Sequence, residues 1–207
     1  IKSLLSTSDG KDKVLSLMQY ACMTVSGGAD GDALRAQKSL ASARKPFRVF
    51  KPVEAMMPVM AKAPTGSSAD VSAQYAKALG MCAYFGFDHI VWLTQAGVQK
   101  NAKVGDVAQK LSYWGWFAGS AAALFLDTNE LNVLLDTMKE KGFGKLPNDD
   151  DEDDNDVVVD DEDEARREAE KEELRQRARK VFVGLITNSA QSLLALALLE
   201  KISMSKR

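Results

Sequence analysis

The chain has 207 residues, of which 45% are hydrophobic and 27% are charged. That length and apolar content predict one or two folded domains and exclude a wholly disordered chain. The net charge of −2 hides a separation of charge, because residues 149–164 contain twelve acids and no base; without those twelve acids the chain has a net charge of +10. A basic body favours an anionic partner, either phospholipid or nucleic acid.

The first two helices are predicted from their apolar spacing and their flanking residues. Helix one begins near Ser8 or Asp9, either of which can cap it, and ends in the glycines of residues 26–32. Helix two begins near Asp32 and runs into residues 39–51, here called the basic segment, which holds four cations, two phenylalanines and no acid. Pro46 cannot continue a helix without losing a backbone hydrogen bond. The helix therefore kinks there, or ends near Ala43 and restarts.

At 100° per residue, helix two has one apolar face flanked by cations. The residues alone leave two interpretations of the basic segment: a solvated basic face over a core stripe, or an interfacial helix. In the second, the apolar face enters lipid and the cations meet anionic headgroups. Nucleic-acid binding needs interleaved aromatic residues or a recognised module, and neither is present. The candidate membrane-binding residues are Arg35, Lys38, Leu40, Ala43, Arg44, Lys45, Phe47, Arg48, Phe50 and Lys51.

The middle of the chain is predicted as a kinked or broken helix over residues 46–64 and two long helices over about 70–97 and 105–128, the former capped by Ser68 or Asp70. Residues 111–126 carry no charge, but sixteen residues fall short of the ~20 that span a bilayer unaided. They form a buried core helix, a deep interfacial helix or a span extended by flanking residues. Gly115, Gly119 and Ala123 provide small side chains for close helix approach, and we predict that they mediate self-association.

After a short helix over residues 129–147, the sequence predicts a disordered acidic linker over residues 148–164. A charged and then apolar helix follows within 165–207 and belongs to the same domain as residues 1–147, the helical membrane-associated domain. Its polar cluster, Asn188, Ser189, Gln191 and Ser192, suits a helix packed on partners. The fold class is therefore all-α, a helical bundle with amphipathic and membrane-embedded helices.

The sequence indicates no catalytic, cofactor or metal site. Asp88 and His89 are adjacent on a helix, so their side chains point about 100° apart and form no dyad. Gly-rich phosphate loops and metal-ligand clusters are missing from the sequence. We expect His89 to be a structural, hydrogen-bonded histidine, and Asp88 either to pair with Lys77 or Lys100 or to cap a helix break.

Four strings in order resemble the peroxin-eleven family of peroxisomal membrane elongation proteins: "TSDGKDKVLSLMQY" at 7–20, "SLASARKPFRVFK" at 39–51, "YFGFDHIVWLTQAG" at 84–97 and "LSYWGWFAG" at 111–119. The resemblance implies a protein of the peroxisomal membrane, or of a related organelle such as the glycosome. It implies elongation of that membrane ahead of fission by a basic amphipathic helix and by self-association, with anionic phospholipid, further copies of the chain and the fission machinery as partners.

An alternative function is a helical metabolite pore in the same membrane. Its candidate lumen residues are Lys77, Asp88, His89, Asn188 and Gln191. Within the family pattern, Pro46 and Pro52 interrupt the region expected to form the amphipathic helix.

Overall fold

The computed structural model describes residues 5–143 and 161–199, which are α-helical and contain no strand. The elements are α1 (Ser8–Ser26), α2 (Asp32–Ala43), a 3-10 turn (Lys45–Arg48), α3 (Lys51–Ala61), α4 (Ser68–Gln95), α5 (Ala102–Glu140) and α6 (Asp161–Leu198). The predicted all-α fold is confirmed. The predicted acidic linker falls largely on residues 144–160, which lie outside the described ranges, and α6 already begins at Asp161.

The starts of α1, α2 and α4 lie within two residues of the predicted positions, whereas α5 and α6 begin three and four residues earlier than predicted. The two caps that were predicted, those of α1 and α4, each lie one residue before the first predicted candidate. The Thr7 hydroxyl caps α1 by accepting from the Gly10 backbone N–H at 3.0 Å. Ser67 caps α4, and Asp70 completes a capping box by accepting from the Ser67 backbone N–H. Such caps satisfy backbone donors that have no partner inside the helix.

The sequence predicted that a separate helix begins at residue 129. That boundary is wrong, because α5 continues unbroken through it and is 39 residues long. The polar residues near position 128 suggested a boundary, but each one has a partner that is compatible with a helix. Thr128 donates to the Leu124 carbonyl one turn back, Asn129 donates to Asp70 on α4, and Asp127 accepts from Asn188 on α6. No glycine or proline lies between residues 120 and 141 to end the helix.

The three long helices form the main bundle, with α5 packed between α4 and α6, and α3 lies on α4. The N-terminal pair α1 and α2 packs as a hairpin, and α1 also contacts the 3-10 turn. Small side chains fill the interior of the bundle: the buried residues include Ala78, Ala108, Ala123 and Ala195, and the most fully buried larger side chains are Ser112 and Ser120.

Candidate functional site

The basic segment does not form one helix. The helix of α2 ends at Ala43, the 3-10 turn carries Pro46, and α3 starts afresh at Lys51. Of the two predicted outcomes at Pro46, the structure therefore has the second, in which the helix ends and restarts. The Arg44 backbone N–H still bonds to the Leu40 carbonyl, and Phe47 bonds to Arg44, so the chain changes helix type without losing backbone satisfaction.

Two arginines of the basic segment share one carboxylate. Asp12 on α1 accepts from Arg44 Nε at 2.9 Å and from Arg48 Nε at 3.0 Å. Only 8% of the Asp12 side chain is exposed, so leaving the carboxylate unpaired there would be costly. Burial by itself raises the pKa of Asp12, but the hydrogen bonds and positive charges of the two guanidiniums outweigh it and hold the pKa below its usual value.

The remaining two cations of the segment also have carboxylate partners. Lys45 Nζ lies 3.3 Å from Asp88 on α4 and donates to Gln95 at 3.2 Å. Lys51 contacts Asp9 at 3.0 Å and Glu54 at 2.8 Å. The prediction that Asp88 pairs with Lys77 or Lys100 is therefore wrong. The 3-10 turn places Lys45 against α4, and Lys45 is the ion-pair partner of Asp88.

The structure thus divides the ten predicted membrane-binding residues into groups. Arg44, Lys45, Arg48 and Lys51 are ion-paired within the chain, and Arg35 pairs with Asp32 on the surface. Lys38 is exposed. Of the apolar set, Leu40 and Phe47 are half-buried, whereas Ala43 and Phe50 are exposed. Arg44, Lys45 and Arg48 are largely buried, and their ion pairs fasten the 3-10 turn and its start to α1 and α4. Membrane binding by the ten residues stays a prediction.

An exposed apolar face begins at Phe50, one of the predicted membrane-binding residues, and continues along α3, where no site was predicted. Phe50 is 73% exposed and Met60 is 74% exposed, and between them Val53 and Met57 are also exposed. At 100° per residue these four side chains and Val49 fall within an arc of roughly 100°, which is one stripe along the helix. The methionine content of residues 56–60 was the available signal. The stripe is an apolar helix face without a partner among the described residues.

A cavity of about 1600 Å³ lies between the N-terminal hairpin and the bundle. All six helices and the 3-10 turn contribute to its lining, and the ion pairs of Asp12 and Asp88 form part of its wall. The rest of its lining is mixed: serine, glutamine and tyrosine side chains alternate with apolar ones, including Met81 and Phe85 of α4 and Leu194 of α6.

The predicted self-association residues lie at a close crossing inside one chain. A Cβ atom added at Gly80 on α4 would lie 2.5 Å from the Gly119 nitrogen and 2.8 Å from the Gly115 carbonyl oxygen. Ala123 is buried. This small-residue face of α5 therefore packs against α4, and self-association through it stays a prediction.

Of the five predicted pore residues, Lys77, Asp88 and Gln191 border the cavity, whereas His89 and Asn188 do not; the pore stays a prediction. Asn188 donates to Asp127 at 2.7 Å, and Gln191 accepts from Trp116 and Ser120, so both join α6 to α5. This confirms that the polar cluster of α6 packs on a partner helix. His89 Nε2 is buried and has no hydrogen-bond partner among the described residues, so the expected hydrogen bond is not found there.

Many large apolar side chains of the bundle are exposed, although Val91, Leu134 and Val181 are buried. On α6, Phe182, Val183, Ile186 and Leu193 are each more than half exposed. Residues 181–198 carry no charge, and α6 contains a window of mean hydropathy 1.7 of which 17% is buried. By length and composition alone, α6 is the one helix within the described ranges that could cross a bilayer.

Comparison with known proteins gives one family. The family described as "Peroxisomal biogenesis factor 11 (PEX11)" matches residues 1–207. Peroxisomal membrane protein 11D of Arabidopsis thaliana is 30% identical over 67% of this chain and 60% of its own length. Peroxisomal membrane protein 11E of the same plant is 28% identical over 66% and 59%, and Peroxisomal membrane protein 11-5 of Oryza sativa subsp. japonica is 26% identical over 66% and 59%. The chain spans about three-fifths of the length of these relatives. No solved structure matches.

Proposed function

Because this chain belongs to the PEX11 family of peroxisomal biogenesis factors, we propose that it remodels and elongates the peroxisomal membrane ahead of peroxisome fission. The whole-chain match confirms the resemblance carried by the four sequence strings. The relatives are peroxisomal membrane proteins by name, and the peroxisomal membrane is the location of this chain. For this chain we propose the remodelling activity, its mechanism and its partners.

One observation supports a membrane setting above all others. Most buried positions of the bundle hold small residues and many large apolar residues are exposed, which is the opposite of a water-soluble bundle. Small residues such as Ser112, Ser120 and Gly119 fill the interior, while large apolar side chains face outward on α4, α5 and α6. Helices in lipid gain little by hiding leucine from their surroundings, so small residues occupy their contacts instead. In water, the same outer surface would be an extended apolar patch.

The wedge in this mechanism is the stripe of α3. The helix lies on α4 with its other side, so the stripe of Phe50, Val53, Met57 and Met60 is free to enter the acyl boundary of one leaflet. Burying apolar area there contributes about 25 cal/mol per Å². Insertion into a single leaflet expands that leaflet and bends the sheet. Lys62 and the exposed Lys38 are placed to meet anionic headgroups.

Self-association concentrates the wedges. Since Gly115 and Gly119 already pack on α4, we place the contact between copies on the outer face of α6, where Phe182, Val183 and Ile186 are exposed. In this scheme the chain is a structural protein and performs no catalysis.

The test is vesicle flotation and tubulation with the full chain and vesicles that contain anionic lipid. We expect the wild-type chain to float and to tubulate the vesicles, and Phe50→Glu with Met57→Glu to abolish tubulation, because each carboxylate would have to enter the acyl region. Val98→Glu is the control, since Val98 is 70% exposed but does not belong to the stripe. A double variant that still tubulates vesicles, or a wild-type chain that remains unbound in the gradient, would contradict the proposal.

A further inference from the structure

The wall of the cavity contains more buried positive charge than buried negative charge. Arg44, Lys45 and Arg48 each expose less than 15% of their side chains, and among the described residues their ion-pair partners are Asp12 and Asp88. Their further partners, Gln19, Gln95 and Tyr84, accept hydrogen bonds from them and are neutral. Three cations thus share two carboxylates, so the described side chains leave one positive charge uncompensated. The C-terminus of α2, which ends beside Arg44, offsets about half a charge.

The rest of the cavity lining has the same sign. Seven cationic and four acidic side chains border it. Among the cationic ones, Lys13, Lys38 and Lys77 are exposed and have no ion pair with the described residues. Lining of one sign with low-dielectric walls attracts counter-ions and holds them more strongly than open solvent does. An anion in this cavity would therefore be stabilised both by the buried excess and by the three free lysines.

The apolar residues of the lining include residues of α6, the helix that could cross the bilayer. Leu194 and Leu198 belong to the charge-free stretch of α6, and both border the cavity. Val59 of α3 and Phe85 of α4 border it too, so the apolar walls extend between the wedge helix and the candidate span. With a volume of about 1600 Å³ the cavity exceeds the roughly 300–1,000 Å³ of ordinary small-molecule pockets.

From this combination we propose that the cavity binds one anionic phospholipid of the host membrane, with its phosphate among Arg44, Arg48 and the free lysines and an acyl chain along the apolar walls. The inference rests on the proposed membrane function, and it goes beyond it. The wedge needs only a non-specific lipid surface, whereas this cavity takes a single lipid and selects it by charge. A bound lipid would also tie the N-terminal hairpin to the bundle through the headgroup.

The full chain in a neutral detergent is titrated calorimetrically with dihexanoyl phosphatidic acid, with dihexanoyl phosphatidylcholine and with inorganic phosphate. We expect one phosphatidic acid per chain, bound about tenfold or more tightly than phosphatidylcholine, which has the same acyl chains. Equal affinity for the two lipids would overturn the proposal. If inorganic phosphate binds as tightly as phosphatidic acid, the site takes a free anion, and the proposal that it binds a lipid is overturned.

Two variants test the charges in opposite directions. Lys38→Gln with Lys77→Gln should weaken phosphatidic acid binding about thirtyfold, which corresponds to about 2 kcal/mol, because each lysine near a headgroup contributes about half of that. Asp88→Asn should tighten it, since the buried excess rises from one charge to two; a purely structural cluster would show no gain. Lys103→Gln, on an exposed lysine outside the lining, is the control and should change nothing.

The lysine variants keep the proposal testable if Asp88→Asn fails to fold, and unchanged affinity in them would overturn it. The titration contains no vesicles and measures no curvature. A chain that binds phosphatidic acid but fails to tubulate vesicles would therefore contradict the proposed function and support the lipid site. A chain that tubulates vesicles but does not discriminate between the two lipids would support the proposed function and contradict the lipid site.

Discussion

The bundle of α4, α5 and α6 and the N-terminal hairpin of α1 and α2 are held by different forces. In the bundle, glycine and serine allow backbones to touch, as where Gly80 meets Gly119 and where Ser112 donates to the Tyr84 carbonyl at 3.0 Å. The hairpin is fastened to the 3-10 turn by two arginines on Asp12, while Leu17 and Met18 on its outer side are exposed. Close packing is indifferent to pH and salt, whereas ion pairs respond to both. The hairpin is therefore the part whose attachment depends on its ionic surroundings.

The largest effect on stability is expected at the α4–α5 crossing, where no space is left for a side chain at Gly80. Gly80→Val should lower the free energy of unfolding by about 3 kcal/mol, because the added atoms meet the backbone of α5 and cannot be accommodated by a side-chain rotation. The measurement is reversible unfolding in mixed micelles. Gly86→Val on the same helix is the matched control, since a Cβ at Gly86 meets nothing within 4 Å. Similar losses for both variants would mean that the α4–α5 crossing is looser than described.

An intermediate effect is expected at the hairpin. Asp12→Asn leaves two guanidiniums with a neutral partner and should cost about 2 kcal/mol, localised to the hairpin. Hydrogen exchange should speed up in α1 and α2 and remain unchanged across the α4–α5 crossing. Asp32→Asn is the control, because the Asp32–Arg35 pair joins the same side-chain types at the surface, where such pairs contribute about 0–1 kcal/mol. Faster exchange throughout the bundle would show that the two regions unfold as one.

The smallest effect is the pH dependence of the same contact. The pKa of Asp12 is held below its unfolded value of about 3.8, so its stabilising contribution is complete above that value. The contribution is lost as pH falls through the folded pKa, when the carboxylate is protonated. Protection of the α1 amides, taken as the intrinsic exchange rate at the same pH relative to the observed rate, should therefore fall below about pH 4 in the wild-type chain and fall less in Asp12→Asn. Equal acid sensitivity in both chains would assign the transition to other carboxylates.

The basic segment shows how far sequence reasoning reached. Its composition and spacing identified Pro46 as the point where one helix face would break, and the chain does leave the α-helix there. What the pattern could not show is that α1 supplies Asp12, 32 residues away from Arg44, or that α4 supplies Asp88 to Lys45. Helical periodicity describes only neighbours within a few turns, so a cation on a helix face looks the same whether solvent, lipid or a distant carboxylate meets it.

The small-residue pattern of α5 has the same ambiguity. Gly115 and Gly119 signalled close approach of another helix, and a close approach is what the structure has. Whether that helix belongs to a second copy or to the same chain is a matter of tertiary arrangement, and the described chain uses Gly80 of its own α4.

The sequence by itself determined the all-α class, the caps of α1 and α4 to within a residue, the break at Pro46 and the resemblance to a peroxisomal membrane family, because those depend on local spacing and on ordered motifs. It did not determine that residues 102–140 form one helix. Only the tertiary structure decided which charges are neutralised, which apolar faces are left without a partner and where a cavity remains. These follow from how helices far apart in sequence are brought together. The outward stripe of Phe50 and Met60 and the inward pairing of Arg44 and Lys45 both result from one arrangement, in which the 3-10 turn carries the cations onto α1 and α4 while α3 lies with its other side against α4.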